Sequence, residues 1–365
     1  MEKIQNLNKL AVPTFRWLKA NSYDIKNFEL PVIMPYKIKY FHETQFVRNI
    51  DAMSSIEEMN NLNSTYKFGV GEEFISLADK HLNAGVFIKI PDETIITDPI
   101  FIDYKIDLDN KILIDKNVIS VGKNSEVTII IDYSSSNSMT SFHNGVTKVF
   151  AEEGAKVKII KLQRLSDLGT SFDSNVAILK RQAKLQWFSV ELGSKVSLSN
   201  YMTYLDENES EASLDSIYLT DGRRELDVSY TMIHKGRRTI SNIKTNGVLD
   251  DFAKKTFRGT LDFIRGATKS KGSEQEFVLL LSDKTKTDSI PTLLCEEDDV
   301  EGQHAASIGQ IDDNKLFYIM SRGLNEEEAK KIIIEASFRT VLDSIPNDNL
   351  RESIEGEIHR RIVNE

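Results

Sequence analysis

Length, composition and charge exclude several classes of protein for this chain. Its 365 residues can fill one large core or about two to three modules, and 40% hydrophobic with 28% charged residues is ordinary for a globular protein. The net charge of −10 disfavours nucleic-acid binding, which needs concentrated Lys and Arg. Because no apolar run approaches the roughly 20 residues of a bilayer span, and the polar start has no apolar signal core, we expect a cytoplasmic protein without membrane contact.

The first predicted region, residues 1–84, is expected to be mainly helical. Two apolar stripes at near-helical spacing indicate this, and Gly85 stands where a glycine after a helix belongs. The stripes are Ile50, Met53, Ile56, Met59 and Leu62, and then Phe74, Leu77, Ala78 and Leu82. We expect these helices to cap one end of the next region.

The second predicted region, residues 85–323, reads as β structure throughout. Short β-branched runs alternate with Asp, Asn, Gly and Ser, and an aromatic strand is expected over Leu316–Met320. A weak repeat recurs every 28 to 30 residues, with apolar anchors at Val127, Val157, Leu185 and Leu214. A period of this length with strand-like content predicts a parallel β-helix. The alternative is an antiparallel sandwich with evenly spaced strands.

The third predicted region, residues 324–365, is a helical hairpin. Asn325 and Glu328 form a capping-box pattern, and Pro346 separates the two helices. A hairpin of about 40 residues is too small to have a core of its own, so it must pack on the β body, on another protein, or on both. Its apolar residues Ala329, Ile333, Ala336, Ile354 and Ile358 are the candidate docking surface.

The segment from Cys295 to Leu324 contains the candidate functional residues. His304, at a predicted turn of small residues, is either a ligand or proton carrier, or a polar residue that closes the turn. Cys295 is either a thiolate ligand or a small buried hydrophobe. The acids of residues 296–301 match no calcium loop and are expected to be solvated. Cys295 is the only cysteine of the chain. Iron–sulfur clusters usually take about four protein ligands, mostly thiolates, so a cluster bound here must share ligands with another subunit.

The chain contains no nucleotide-binding motif and no nucleophile elbow. We therefore expect a protein that is not an enzyme and has no nucleotide site of its own. Acids are plentiful, so the alternative is a carbohydrate-active β-helix enzyme that uses paired carboxylates.

Three segments resemble the SufB/SufD family of iron–sulfur cluster assembly components, with SufD-type members the more similar. They are Thr256–Asp262, the stretch from Asp298 to His304, and Leu316–Leu324. The resemblance implies N-terminal helices, a right-handed parallel β-helix and a C-terminal helical region. Many relatives have Cys two residues before the histidine, where this chain has Gly302, so a Cys–His ligand pair within the chain is not expected.

The resemblance also implies partners. It predicts a non-catalytic scaffold that pairs with a SufB-like subunit through the β-helix and docks a SufC-like ATPase on its C-terminal helices. His304 would face the SufB-like partner where a transient cluster forms, with Cys295 as a weaker candidate. A homodimer is expected when the chain is isolated.

Overall fold

The computed structural model describes residues 2–13, 20–50, 66–135 and 139–363. In these ranges the chain is mainly β, and its centre is a parallel β-helix, as the repeat predicts. Even-numbered strands stack in one sheet and odd-numbered strands in the other, so each coil gives one strand to each sheet. The strands are β4 Ala84–Ile90, β5 Ile100–Ile106, β6 Ile112–Val121, β7 Glu126–Ser135, β8 Phe142–Ala151, β9 Lys156–Arg164, β10 Thr170–Leu179, β11 Lys184–Glu191, β12 Val196–Leu205, β13 Glu211–Thr220, β14 Glu225–His234, β15 Ile240–Leu249, β16 Lys254–Phe263, β17 Ser270–Leu280, β18 Lys286–Cys295 and β19 Val300–Gln310.

The repeat anchors stack in register along the odd sheet. Val127 pairs with Val157, and Val157 pairs with Leu185. The next residue in this column is Ala212, whereas the predicted anchor Leu214 pairs with Trp187. All of these pairs are parallel, which excludes the antiparallel sandwich.

The turns from the even to the odd sheet repeat one backbone feature. Seven of the eight turns contain a residue in a left-handed conformation with φ between 52° and 70°. These residues are Glu93, Asn124, Gly154, Gln182, Glu209, Arg238 and Lys269. At Gly154 a Cβ atom would lie 2.3 Å from the side-chain oxygen of Asn124, so glycine also makes room for the turn below. The repeated turn keeps successive coils in register.

The N-terminal region departs from the mainly helical expectation within the described residues. It contains three strands, β1 Glu2–Leu7, β2 Tyr23–Phe28 and β3 Val47–Asn49, and one helix, α1 Glu72–His81. Helix α1 coincides with the second predicted stripe. In the first stripe, Met53 to Leu62 lie outside the described residues. Gly85 lies in a strand, where a Cβ would approach the Lys116 carbonyl oxygen to 2.3 Å, so close strand packing explains this glycine.

Helix α1 does not cap the first coil, as the N-terminal helices were expected to do. Helix α1 packs on the outer face of the even sheet, where the Phe74 and Phe172 rings are 4.1 Å apart. The first coil is instead covered by the segment that precedes β3. In that segment Tyr40 is buried and stacks on Tyr104 at 4.8 Å between ring centroids.

The C-terminal region consists of α2 Asp313–Met320, α3 Glu326–Leu342 and α4 Asp348–Val363. Helices α3 and α4 pack their apolar sides on the outer face of the odd sheet. The Asn325–Glu328 capping box is present, and Pro346 lies between the two helices, as predicted. Among the described helices, none combines the length and the apolar character that a membrane span requires.

The aromatic segment before Ser321 is a helix, and the prediction of a strand there was wrong. The Asp312 side chain accepts hydrogen bonds from the backbone N–H groups of Asn314 and Lys315, and so caps the start of α2. A capped start outweighs the β preference of the aromatic run. The consequence is an exposed aromatic helix directly after β19.

Candidate functional site

The last coil of the β-helix is open. Strands β18 and β19 are the terminal strands of the even and odd sheets, and each has a neighbouring strand on one side only within the described structure. In β17 the inward residues are buried and alternate with outward ones, whereas every residue of β19 from His304 to Gln310 is exposed. An open strand edge with an uncovered interior is a template for pairing with another chain.

His304 lies in the middle of β19, and not in a tight turn as expected. It pairs in register with Glu274 of β17, whose side chain is buried inside the coil. Side chains at one register position of stacked parallel strands point to the same face. His304 is therefore at an inward position, and it is exposed because no further coil covers it.

Cys295 ends β18 and is also exposed. It pairs in register with Phe263, which is buried in the coil below. Partial desolvation and the nearby Asp262 carboxylate raise the pKa of the Cys295 thiol. A raised pKa disfavours the thiolate, which is the form that binds metals. The structure thus brings Cys295 and His304 to the same open coil, with the thiol the weaker ligand.

The acidic residues between β18 and β19 stabilise a turn. Glu297 Oε2 accepts a hydrogen bond of 2.8 Å from the backbone N–H of Gly266 in the coil below, and backbone N–H donors lower the pKa of Glu297. Glu301 forms an ion pair with Lys271 at 2.8 Å. No group of three or more His, Cys, Asp or Glu side chains in the described ranges is arranged to hold a metal ion.

Glu274 is a residue of this coil that the sequence reasoning missed. It is 1% exposed, and its Oε2 atom has no hydrogen-bond partner among the described residues. Burial and the nearby Glu276 raise the pKa of Glu274 to about 8. Its position one repeat before His304 was the available signal, because register partners on stacked coils share a face.

The other ionisable side chains inside the closed coils form hydrogen-bonded networks. His143 contacts Asp115 and Ser171, each at 2.9 Å, and all three are buried. Lys161 binds both carboxylate oxygens of Asp173 at 2.7 and 2.8 Å. These groups are satisfied and enclosed, as buried polar groups usually are. They form no groove for a polysaccharide.

The predicted docking residues fall into two sets. Ile354 and Ile358 are buried between the helices and the odd sheet, where they hold the hairpin on the β body, and Ala329 is also buried. Ile333 is half-buried and Ala336 is exposed. The buried face of α3 runs through Ile334 and Phe338, so the face assigned from the sequence is rotated around the helix.

A mainly β solenoid with an open last coil and a helix-covered odd sheet defines the structural class of this chain. The core domain described as "SUF system FeS cluster assembly, SufBD core domain" matches residues 104–337. The chain therefore belongs to the SufBD family of the SUF iron–sulfur cluster assembly system. The matched range covers the β-helix from β5 to β19, α2 and most of α3.

Three similar proteins carry related descriptions. The iron–sulfur cluster assembly protein SufD of Bacillus subtilis is 26% identical over 319 residues, which cover 86% of this chain and 73% of that protein. A SufBD family protein of Synechocystis is 27% identical over 77% of this chain and 64% of its own length. SufB of Bacillus subtilis is 22% identical over 75% of this chain and 59% of its own length.

Proposed function

We propose that this chain is a SufD-type, non-catalytic scaffold subunit of the SUF system. It pairs with a SufB-like subunit through β18 and β19 and contributes His304 to a cluster that forms transiently at the shared interface. The remaining ligands come from the partner. The open last coil, with two unpaired strand edges and an exposed inward histidine, is the observation that carries this proposal.

The charges and ligands of the coil support a shared site. His304 and Cys295 are the soft ligands on the open coil, and the thiol has a raised pKa. Two candidate ligands are too few for a cluster, which usually takes about four. A partner that covers the coil would supply the missing ligands and bury the exposed interior positions of β19.

The pairing surface is tested with two exposed isoleucines of the odd sheet. Ile308, 41% exposed, lies on the open β19, and Ile240, 48% exposed, lies on β15 in the middle of the sheet. We expect Ile308→Glu to abolish co-purification with the SufB-like subunit, since it places a charge in the interface, and Ile240→Glu to leave it unchanged.

Two results of this experiment would contradict the proposal. One is undiminished co-purification of Ile308→Glu with the SufB-like subunit. The other is an isolated chain whose homodimer, measured by sedimentation, persists in the presence of an excess of that subunit. The second result would indicate an interaction protein that pairs with itself.

The C-terminal helices support docking of a SufC-like ATPase. The exposed residues beside the open coil include Phe317 at 74%, Tyr318 at 60% and Ile332 at 43%, and Ala336 continues this surface along α3. Exposed aromatic and aliphatic side chains of this size mark interaction sites. Deleting the hairpin is a poor test, because α3 and α4 cover the apolar outer face of the odd sheet.

A point substitution avoids that problem. We expect Phe317→Asp to reduce ATPase co-purification at least tenfold, because a charge at an exposed aromatic contact removes apolar burial. Phe252→Asp is the matched control, since Phe252 is 49% exposed on a turn between β15 and β16. Equal ATPase binding by both variants would exclude α2 from the docking surface.

A further inference from the structure

Glu274 has an unusual environment for a buried carboxyl group. It lies on the inner face of β17, in the coil directly below the open one, and is 1% exposed. Leaving a buried polar atom without a hydrogen bond costs about 1–3 kcal/mol, so each such atom calls for a specific explanation. Its Oε2 atom is in this state within the described structure.

The fold makes room for this carboxyl group at a defined position. A Cβ atom on Gly259 would lie 2.0 Å from Oε1 of Glu274, so a larger residue there would displace the carboxyl group. The register partner of Gly259 on the open coil is Pro291, and the register partner of Glu274 is His304. The carboxyl group and the imidazole are therefore successive inward residues of one column.

Lys255, a buried cation of the same coil, is already engaged by the neighbouring acid Glu276. Lys255 Nζ donates to Glu276 Oε1 at 2.7 Å and to Ser289 Oγ at 2.9 Å, and the Tyr218 hydroxyl donates to Glu276 at 3.0 Å. Glu276 thus takes the donors on its side of the coil. Glu274 lies on β17 directly below His304 in the register of the odd sheet.

The spacing of the strands allows the two side chains to meet. Paired strands lie about 4.8 Å apart, so residues at one register position have Cβ atoms at about that distance. A glutamate carboxyl and an imidazole that lean toward each other can close this gap to a hydrogen bond of about 2.8 Å. Among the described residues, no coil stands above His304 to hold its ring in another direction.

We propose that Glu274 is a positioning residue that hydrogen-bonds one ring nitrogen of His304 from below and leaves the other nitrogen directed at the open end of the β-helix. This inference rests on the proposed role of His304. When one ring nitrogen is held by a hydrogen bond, the other ring nitrogen presents a single lone pair or donor in a fixed direction. Carboxylates that hydrogen-bond a metal-ligating histidine orient its ring in this way.

The test measures the tautomer of His304 in the full-length chain. Protein labelled with ¹⁵N in its histidine rings is examined by NMR near pH 8.5, where an ordinary imidazole is neutral, and the His304 signals are assigned with His304→Gln. We expect two well-separated ring ¹⁵N resonances, one from a protonated and one from an unprotonated nitrogen. In Glu274→Leu they should move toward each other, as in a freely exchanging imidazole.

Two variants make the result specific. Glu274→Gln keeps a side chain that can hydrogen-bond at the same place and should retain the separated resonances. Thr245→Val removes another buried side-chain oxygen without a partner, on the inner face of β15, and should leave the His304 signals unchanged. Identical His304 spectra in the native chain and in Glu274→Leu would overturn the proposal.

A failure of the positioning role of Glu274 can be distinguished from a failure of the proposed function. If His304→Gln leaves pairing and cluster assembly intact, the shared site is wrong even where Glu274 orders the ring. If His304→Gln abolishes assembly while Glu274→Leu leaves the ring spectrum unchanged, the site stands and the positioning role of Glu274 is refuted.

Discussion

The closed coils and the open last coil have the same backbone but different surroundings. In β17 the inner residues Ser270, Gly272, Glu274, Glu276 and Val278 are buried and alternate with more accessible ones. Each of these residues has a register partner at an inner position of β19, and all of these partners except the first two are exposed. The difference arises from one missing neighbour, since a β-helix buries a coil only when another coil stacks on it.

Two histidines show what this difference means for chemistry. His143 is fully buried in a closed coil, and both of its ring nitrogens are engaged, by Asp115 and by Ser171. His304 is at an inward position of the open coil and is exposed. A closed coil engages its histidine within the fold, whereas the open coil leaves its histidine accessible.

The largest expected effect concerns the buried ion pair of a closed coil. Lys255 and Glu276 have side chains that are 0% exposed and are joined at 2.7 Å. We expect Lys255→Met to lower the free energy of unfolding by about 3–5 kcal/mol, because it leaves Glu276 charged and buried. Chemical denaturation measures the loss.

The control for this prediction removes both charges. Lys255→Met combined with Glu276→Gln should recover most of the stability, since no uncompensated charge remains. A single variant that loses less than about 1 kcal/mol would contradict the tight coupling of the pair and the enclosed character of this coil.

The second effect is a pH dependence from Glu191 in the middle of the β-helix. Burial raises the pKa of Glu191 from its ordinary 4.5 to about 7, while Ser199 donates to its carboxyl group at 2.6 Å. Between these pKa values the folded chain keeps a proton that the unfolded chain releases. The contribution of Glu191 is therefore fully favourable below pH 4.5 and is lost as the pH rises toward 7.

Glu191→Gln should remove this dependence, because the amide keeps the shape and does not ionise. Relative to the native chain, the variant should gain up to about 3 kcal/mol in unfolding free energy between pH 4.5 and 8. Denaturation curves at both pH values measure the gain. A constant difference between the two proteins would show that Glu191 does not change its protonation on folding in this range.

The sequence predicts the closed coils better than the open one. The 28- to 30-residue period follows from stacking, and Val127, Val157 and Leu185 do form one column. The period says nothing about how many coils have a neighbour, and the small residues around His304 suggested a turn where the structure has a strand. The helix over Asp313–Met320 was not predicted, because the β preference of its aromatic residues suggested a strand. The Asp312 side chain, which caps the helix, is the signal for a helix here.

Only the exposed residues of the candidate site were predicted from the sequence. His304 and Cys295 were found as chemically distinctive residues, and both lie on the open coil. Glu274 was missed because a glutamate on a strand reads as solvent-facing until its register is known. Ile354 and Ile358 were assigned to a partner because an apolar helix face does not reveal whether the odd sheet or another protein covers it.

The smallest expected effect on stability is the most informative about function. His304→Ala should change the free energy of unfolding by less than about 0.5 kcal/mol, because His304 is exposed and substitutions at such positions are usually neutral. The same change at His143 should cost about 2 kcal/mol or more, since it leaves the buried Asp115 without one of its partners.

Cluster assembly by the complex with the partners should show the opposite order. Each folded molecule of His143→Ala should assemble as much cluster as a native molecule, because this substitution weakens the packing of the fold only. His304→Ala should pair with the SufB-like subunit yet assemble at least tenfold less cluster, measured by the absorbance of the reconstituted complex. Full assembly by His304→Ala would mean that the open coil serves pairing alone, with all cluster ligands on the other subunit.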